Sequence, residues 1–166
     1  MGVQRAVMLL AALTAGSAIP AQAQNAGAVV PDRPFMVIGR RDLLFRTVLP
    51  GIPTSVRSND PRFSGEFEIQ GPAEASVRVE LSLPTALLSP GGATLPISFA
   101  SDDGSHDFPH GLPHRSIFNP HTPVVAALGP NGKLHVWLGG TVSPIPGQTS
   151  GTYVAAISIT VFNLGI

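Results

Sequence analysis

Val77, Val79, Leu81 and Leu83 alternate with Ser76, Arg78, Glu80 and Ser82. A period of two places the apolar side chains on one face of an extended strand and the polar ones on the other. A helix would scatter the same four apolar residues around its circumference, and Pro84 ends the segment in any case. The same alternation marks residues 66–69, stopped by Gly71-Pro72, and residues 134–138, stopped by Gly139-Gly140. Glu66 and Glu68 alternate there with Phe67 and Ile69, and so read as the wet face of their strand. In residues 153–162, Tyr153, Ala155, Ile157, Ile159 and Val161 share one face. The reverse face, ending in Phe162, is apolar enough to predict a single long strand covered on both sides. Shorter candidates are residues 35–38, 43–48, 54–57, 95–100 and 124–128.

Turn signals separate these runs. In Gly129-Pro130-Asn131-Gly132 the proline presets the first central φ and the glycine can take a left-handed position, which predicts a hairpin over residues 124–138. About eight or nine short strands, with turns between them and no convincing helix, indicate an all-β antiparallel sandwich. No repeat of fixed period argues for a propeller or solenoid.

Composition narrows the function classes. The 166 residues carry 10 Lys+Arg against 10 Asp+Glu, and Lys133 is the single lysine, so there is no electrostatic grip for nucleic acid. With no cysteine, disulfide scaffolds, thiol enzymes and cysteine-ligated metals are excluded. Gly (18) and Pro (17) argue against helical bundles, whereas 43% apolar residues are too many for a disordered polymer.

Arg5, the apolar run 6–13 and the small-x-small site Ala21-Gln22-Ala23 form the three-part pattern of a secretory signal peptide, residues 1–23. The run is shorter than the roughly 20 residues that span a bilayer. Residues 24–34 then read as an N-terminal leader or first-strand segment, and 35–166 as one sandwich domain. The expected location after cleavage is the periplasm, the cell surface or the medium, with no membrane span and no lipid-anchoring cysteine.

Four segments carry a family resemblance: Asp42-Leu43-Leu44-Phe45, residues 65–71, residues 77–84, and the stretch from Leu138-Gly139-Gly140-Thr141-Val142 through Gln148 and Gly151-Thr152-Tyr153 to the closing strand. Together they resemble the bacterial domain of unknown function 4402, similar to spore-coat-U-type and Mat/Ecp-fimbrillin-type pilin domains. Arg46 departs from that pattern, where glycine is expected after Phe45. The resemblance implies an immunoglobulin-like sandwich, exported or surface-displayed, without established activity. Gly139, Gly140, Thr141, Gly151 and Tyr153 are its structural motif. The glycines would permit backbone angles closed to other residues, and Tyr153 would cap the core while its hydroxyl reaches a backbone group.

Candidate chemistry concentrates in residues 101–121, which hold Asp102, Asp103, Asp107, His106, His110, His114 and His121. His106, His110 and His114 are candidate metal ligands. Their i, i+4 spacing has meaning only on a helix, however, and Pro109, Gly111 and Pro113 forbid one, which leaves a long polar loop with solvated histidines. Asp102-Asp103-Gly104 lacks the remaining ligands of a calcium loop and reads as a turn. Gly104-Ser105-His106 is not a nucleophile elbow. No phosphate loop or dinucleotide fingerprint is present, so no catalytic residue and no cofactor is assigned. Trp137, beside His135 and opposite Val136, is a candidate aromatic platform for sugar. Two readings follow: a non-enzymatic surface component that associates with itself or with other subunits through strand edges, Gly27-Ala28-Val29-Val30 being the candidate donor; or a monomeric extracellular module that binds a glycan or a metal through loop 102–121.

Overall fold

Alternating apolar residues pair into three sheets around one core in the computed structural model, which describes residues 5–7, 33–107 and 115–165. The described residues form an all-β sandwich without a helix. The signal-peptide reading beyond Arg5–Val7, the Gly27–Val30 donor, His110 and His114 lie outside the described residues.

One sheet has five strands in the order β2 (Met36–Arg41), β4 (Gly65–Gln70), β11 (Lys133–Leu138), β8 (Gly104–Asp107) and β9 (Ser116–Phe118). A three-stranded sheet runs β10 (Val124–Ala127), β5 (Ser76–Ser82), β14 (Ser158–Gly165). The third sheet has the order β1 (Arg5–Val7), β13 (Thr152–Val154), β6 (Ala86–Leu88), β7 (Thr94–Ser98), β12 (Gly140–Val142) and β3 (Thr54–Val56). All pairings are antiparallel except that of β1 with β13. Their inward residues, among them Val77, Val79, Ile69, Val136, Leu87, Leu95 and Ile159, form one buried cluster. Each such side chain contributes about 1.5–3 kcal/mol when fully buried.

The fourteen strands among the described residues exceed the eight or nine expected, and some are differently placed. Residues 153–162 are two strands in different sheets, because the chain turns a corner at 155–157 without interrupting its alternation. The reverse face is open rather than covered: Val154 is exposed and Phe162 only half-buried. The turn at residues 129–132 forms as expected, Gly132 having φ 70° and its N–H donating to Gly129 O at 2.8 Å. It does not close a hairpin, since β10 pairs with β5 and β11 with β4 and β8. Residues 43–48 bury Leu43, Phe45 and Val48 without forming a strand. The Arg46 guanidinium beside them lies 4.6 Å over the Phe63 ring.

The Gly139-Gly140 pair has a different physical reason from the one expected. Neither residue has a positive φ. Instead, the backbones approach so closely that a Cβ on Gly139 would lie 2.4 Å from Val56 O, and one on Gly140 3.1 Å from the Phe99 ring. Thr141 sits opposite Ser55, their hydroxyls 2.7 Å apart. Tyr153 caps the core as expected. Its side chain is fully buried, and its hydroxyl donates to Thr149 O at 2.6 Å and accepts from Gln148 Nε2 at 2.8 Å. A hydroxyl returned to the backbone a few residues upstream is the device of the tyrosine corner. Tyr153→Phe is expected to cost about 1–2 kcal/mol, read from urea unfolding, because Thr149 O loses its buried donor while Gln148 Nε2 keeps its bond to Thr94 O.

Candidate functional site

A bulge decides which side chains populate the outer face of the five-stranded sheet. The register of β2 against β4 shifts between Gly39 and Arg41, so Arg41 faces Glu66 and Arg40 becomes the extra residue. Bulges re-aim side chains, and here two successive arginines reach carboxylates on the neighbouring strand. Arg40 donates to Glu68 Oε2 from Nε at 2.8 Å and Nη2 at 2.7 Å. Arg41 Nη2 lies 3.0 Å from Glu66 Oε2, while its Nε and Nη1 donate to the carbonyls of Ser64 and Pro61.

The other flank of β4 completes the ladder. Lys133 Nζ lies 3.0 Å from Glu68 Oε1, and Gln70 Nε2 donates to the same oxygen. His135 stands between the two carboxylates, Nδ1 3.0 Å from Glu66 and Nε2 3.8 Å from Glu68. The expectation of a wet face is therefore wrong for Glu68, which is only 3% exposed. Long cationic side chains lie over it and replace water with charge-assisted hydrogen bonds. Burial alone would raise its pKa, but the bonds from Gln70, Lys133 and Arg40, with the charge of Arg40, hold it down at about 2.

Trp137 shares this face and is half-buried. Its indole is stacked with the His135 ring, centroids 5.6 Å apart, and the Arg115 guanidinium lies 3.8 Å from its ring centroid. The open aromatic platform for sugar is thus not present, because a cation occupies the ring.

The stretch expected to be one long polar loop instead contributes β8 and β9 to the sheet. His106 is in register with Val136 and Ser116, on the inner side, 5.8 Å from the Phe118 ring. Burial pushes its imidazole pKa down, against the opposing pull of Asp107. His121 Nε2 lies 2.9 Å from Phe99 O. Among the described residues no three His, Asp or Glu side chains converge as a metal site, and His106 is packed against an aromatic ring.

Beyond Trp137 the outer face opens into a pocket of about 530 Å³. Its walls are the Arg57–Asn59 loop, the Asp102-Asp103 turn, Ser105, Arg115 and Ile117. Ser105 is the cross-strand neighbour of both Trp137 and Ile117. Arg115 reaches across to donate from Nη1 to Ser58 O at 2.9 Å. Burial pushes its pKa down, and the charges of Glu66 and Asp107 pull it back. The expected turn forms at Asp103, whose Oδ2 accepts the Ala100 N–H at 2.7 Å; burial pushes this carboxyl's pKa up. Ser105 Oγ is buried and has no hydrogen-bond partner among the described residues. Since the Ser105 hydroxyl is bonded to no base and both His135 ring nitrogens face carboxylates, no activated nucleophile is assembled among the described residues of this face.

Sequence reasoning named Ser105 only to set aside a nucleophile elbow and missed Arg57 and Arg115, because the loop after β3 belongs to another sheet and meets Ser105 and Arg115 only in the folded chain. Arg40-Arg41 after Gly39 was the one local signal, a glycine next to paired charges at a strand end. No protein-family model matches the chain, and none of the curated proteins matches it.

Proposed function

We propose that the protein is an exported, non-enzymatic β-sandwich that serves as a structural or adhesive, pilin-like component of the bacterial cell surface and associates through strand edges. The observation that carries this reading is the edge strand β14. It spans Ser158–Gly165, eight residues, and among the described residues it pairs only with β5. Its sequence, Ser-Ile-Thr-Val-Phe-Asn-Leu-Gly, contains no charge and no proline, and its one register shift comes late, between Asn163 and Gly165. Monomeric sheets guard such edges with lysine, proline or early bulges. An unguarded edge of this length supports strand addition, where main-chain hydrogen bonds give affinity and alternate side chains fill pockets. Gly27-Ala28-Val29-Val30 of a neighbouring copy is the proposed donor.

The reading is tested by size-exclusion chromatography of three chains. The intact protein is expected to form oligomers, deletion of residues 24–34 to leave a folded monomer, and Thr160→Lys, which places a charge mid-edge, to do the same with an unchanged melting temperature. Unchanged assembly after the deletion removes the donor, and a strictly monomeric intact protein removes the whole reading.

A further inference from the structure

The geometry points to a second site, separate from the β14 edge: the pocket between the Arg57–Asn59 loop and strands β8 and β9 binds a neutral saccharide unit. The first observation is Ser105, which borders the pocket and is 1% exposed, and whose buried hydroxyl lacks a partner among the described residues. A buried hydroxyl left unbonded is costly, so this position calls for a guest that both donates and accepts. The second is charge balance. Arg57 and Arg115 share the lining with Asp102 and Asp103. An anion meets carboxylates and a cation meets guanidiniums. A sugar hydroxyl pair satisfies both, accepting from arginine while donating to the exposed Asp102, and Asn59 adds one group of each kind.

The third observation is preorganisation. Arg115 is fixed twice, its guanidinium lying over the Trp137 ring at 3.8 Å and its Nη1 donating to Ser58 O at 2.9 Å. A donor held in place before binding loses little freedom when the ligand arrives. Ile117, 67% exposed at the rim, offers an apolar wall for the C–H face of a pyranose ring. The volume lies in the range of small-ligand sites, about 300–1,000 Å³. Because β14 belongs to a different sheet, strand addition and saccharide binding use separate parts of the molecule.

The test is a ¹H–¹⁵N NMR titration of the purified chain with glucose, galactose, mannose and N-acetylglucosamine, and separately with inorganic phosphate. At least one neutral sugar is expected to give saturable shifts at residues 57–59, 102–105 and 115–117, with none from phosphate. Ser105→Ala is expected to weaken binding at least fivefold while its melting temperature stays level or rises, since an unbonded hydroxyl has been removed. Arg115→Lys, which keeps the charge but loses the planar fork, is expected to weaken it further. Thr160→Lys is expected to bind as the parent does, which separates failure of this site from failure of edge assembly. Absence of shifts with all four sugars, shifts with phosphate alone, or unchanged sugar affinity in Ser105→Ala each overturns the proposal.

Discussion

Gly139→Ala is expected to lower the stability of the protein by about 3 kcal/mol or more, because backbone on every near side leaves the added methyl group no room. Gly139 lies where the chain leaves β11 in one sheet and enters β12 in another. Its N–H donates to Asp103 O at 2.8 Å. A Cβ there would stand 2.4 Å from Val56 O, 2.7 Å from Ser58 N and 2.9 Å from the Arg57 carbonyl carbon. All three are backbone atoms at the end of β3, so no side chain can rotate aside. The β3–β12 ladder must part where Gly140 pairs with Val56, loosening Val56 and Val142 in the core.

Gly147→Ala is the control, because nothing lies within 4 Å of the added carbon and its φ is not positive. It is expected to change stability by less than about 0.5 kcal/mol. For a domain of this size the Gly139 effect corresponds to a melting temperature lower by about 10 °C. A loss below about 1 kcal/mol would show that β3 yields without cost. Because Arg57 and Ser58 also border the pocket, the substitution is expected to shift the amide resonances of residues 57–59 as well.

The same corner shows what alternation along the chain reveals and what it hides. β4, β5 and β11 were legible because apolar residues on one face alternate with polar or larger residues on the other, so sidedness is written into neighbouring residues. Residues 155–157 keep that sidedness while the chain changes sheet, because a period of two records which side faces inward and not which strand lies alongside. The turn at 129–132 was legible for the same local reason, its left-handed glycine being a property of four residues. Its partners were not, since β5 and β4 lie far back in the chain. β8 and β9 went unread because Ser105 and His106 lack an apolar contrast. Their neighbours come from other strands, Trp137 beside Ser105 and Phe118 against His106. Most of the outer-face ladder is likewise non-local: Arg40 reaches Glu68 across 28 residues, and His135 reaches Glu66 across 69.

Glu68 gives the second large effect, a stability difference between the parent protein and Glu68→Gln that disappears in acid. Its carboxyl loses its proton at about 2, against 4.5 for the free group, because the bonds from Gln70, Lys133 and Arg40 outweigh the burial that opposes them. A carboxyl whose folded pKa is depressed contributes stability that is fully present above its unfolded value and is lost as pH falls through the folded one. The window is therefore from about pH 5 down to about pH 2, and the shift corresponds to about 3 kcal/mol at neutral pH. That figure is an upper value, since Arg40 and Lys133 are 44% and 35% exposed in their side chains and partly screened. Asp103 and His106 complicate the raw acid limb in opposite senses. The raised carboxyl of Asp103 gains stability on protonation, whereas the lowered imidazole of His106 resists it. Both are retained in the variant, so they cancel in the difference between the two curves. Urea midpoints measured at pH 7, 5, 4, 3 and 2 are expected to show the variant weaker by about 2–3 kcal/mol at pH 7 and converging with the parent at pH 2. Molar salt is expected to narrow the gap at pH 7 only partly, because Glu68 is covered while its partners are not. A gap that stays constant across the series would mean that the carboxylate's charge contributes nothing and that Gln differs from Glu there only in packing.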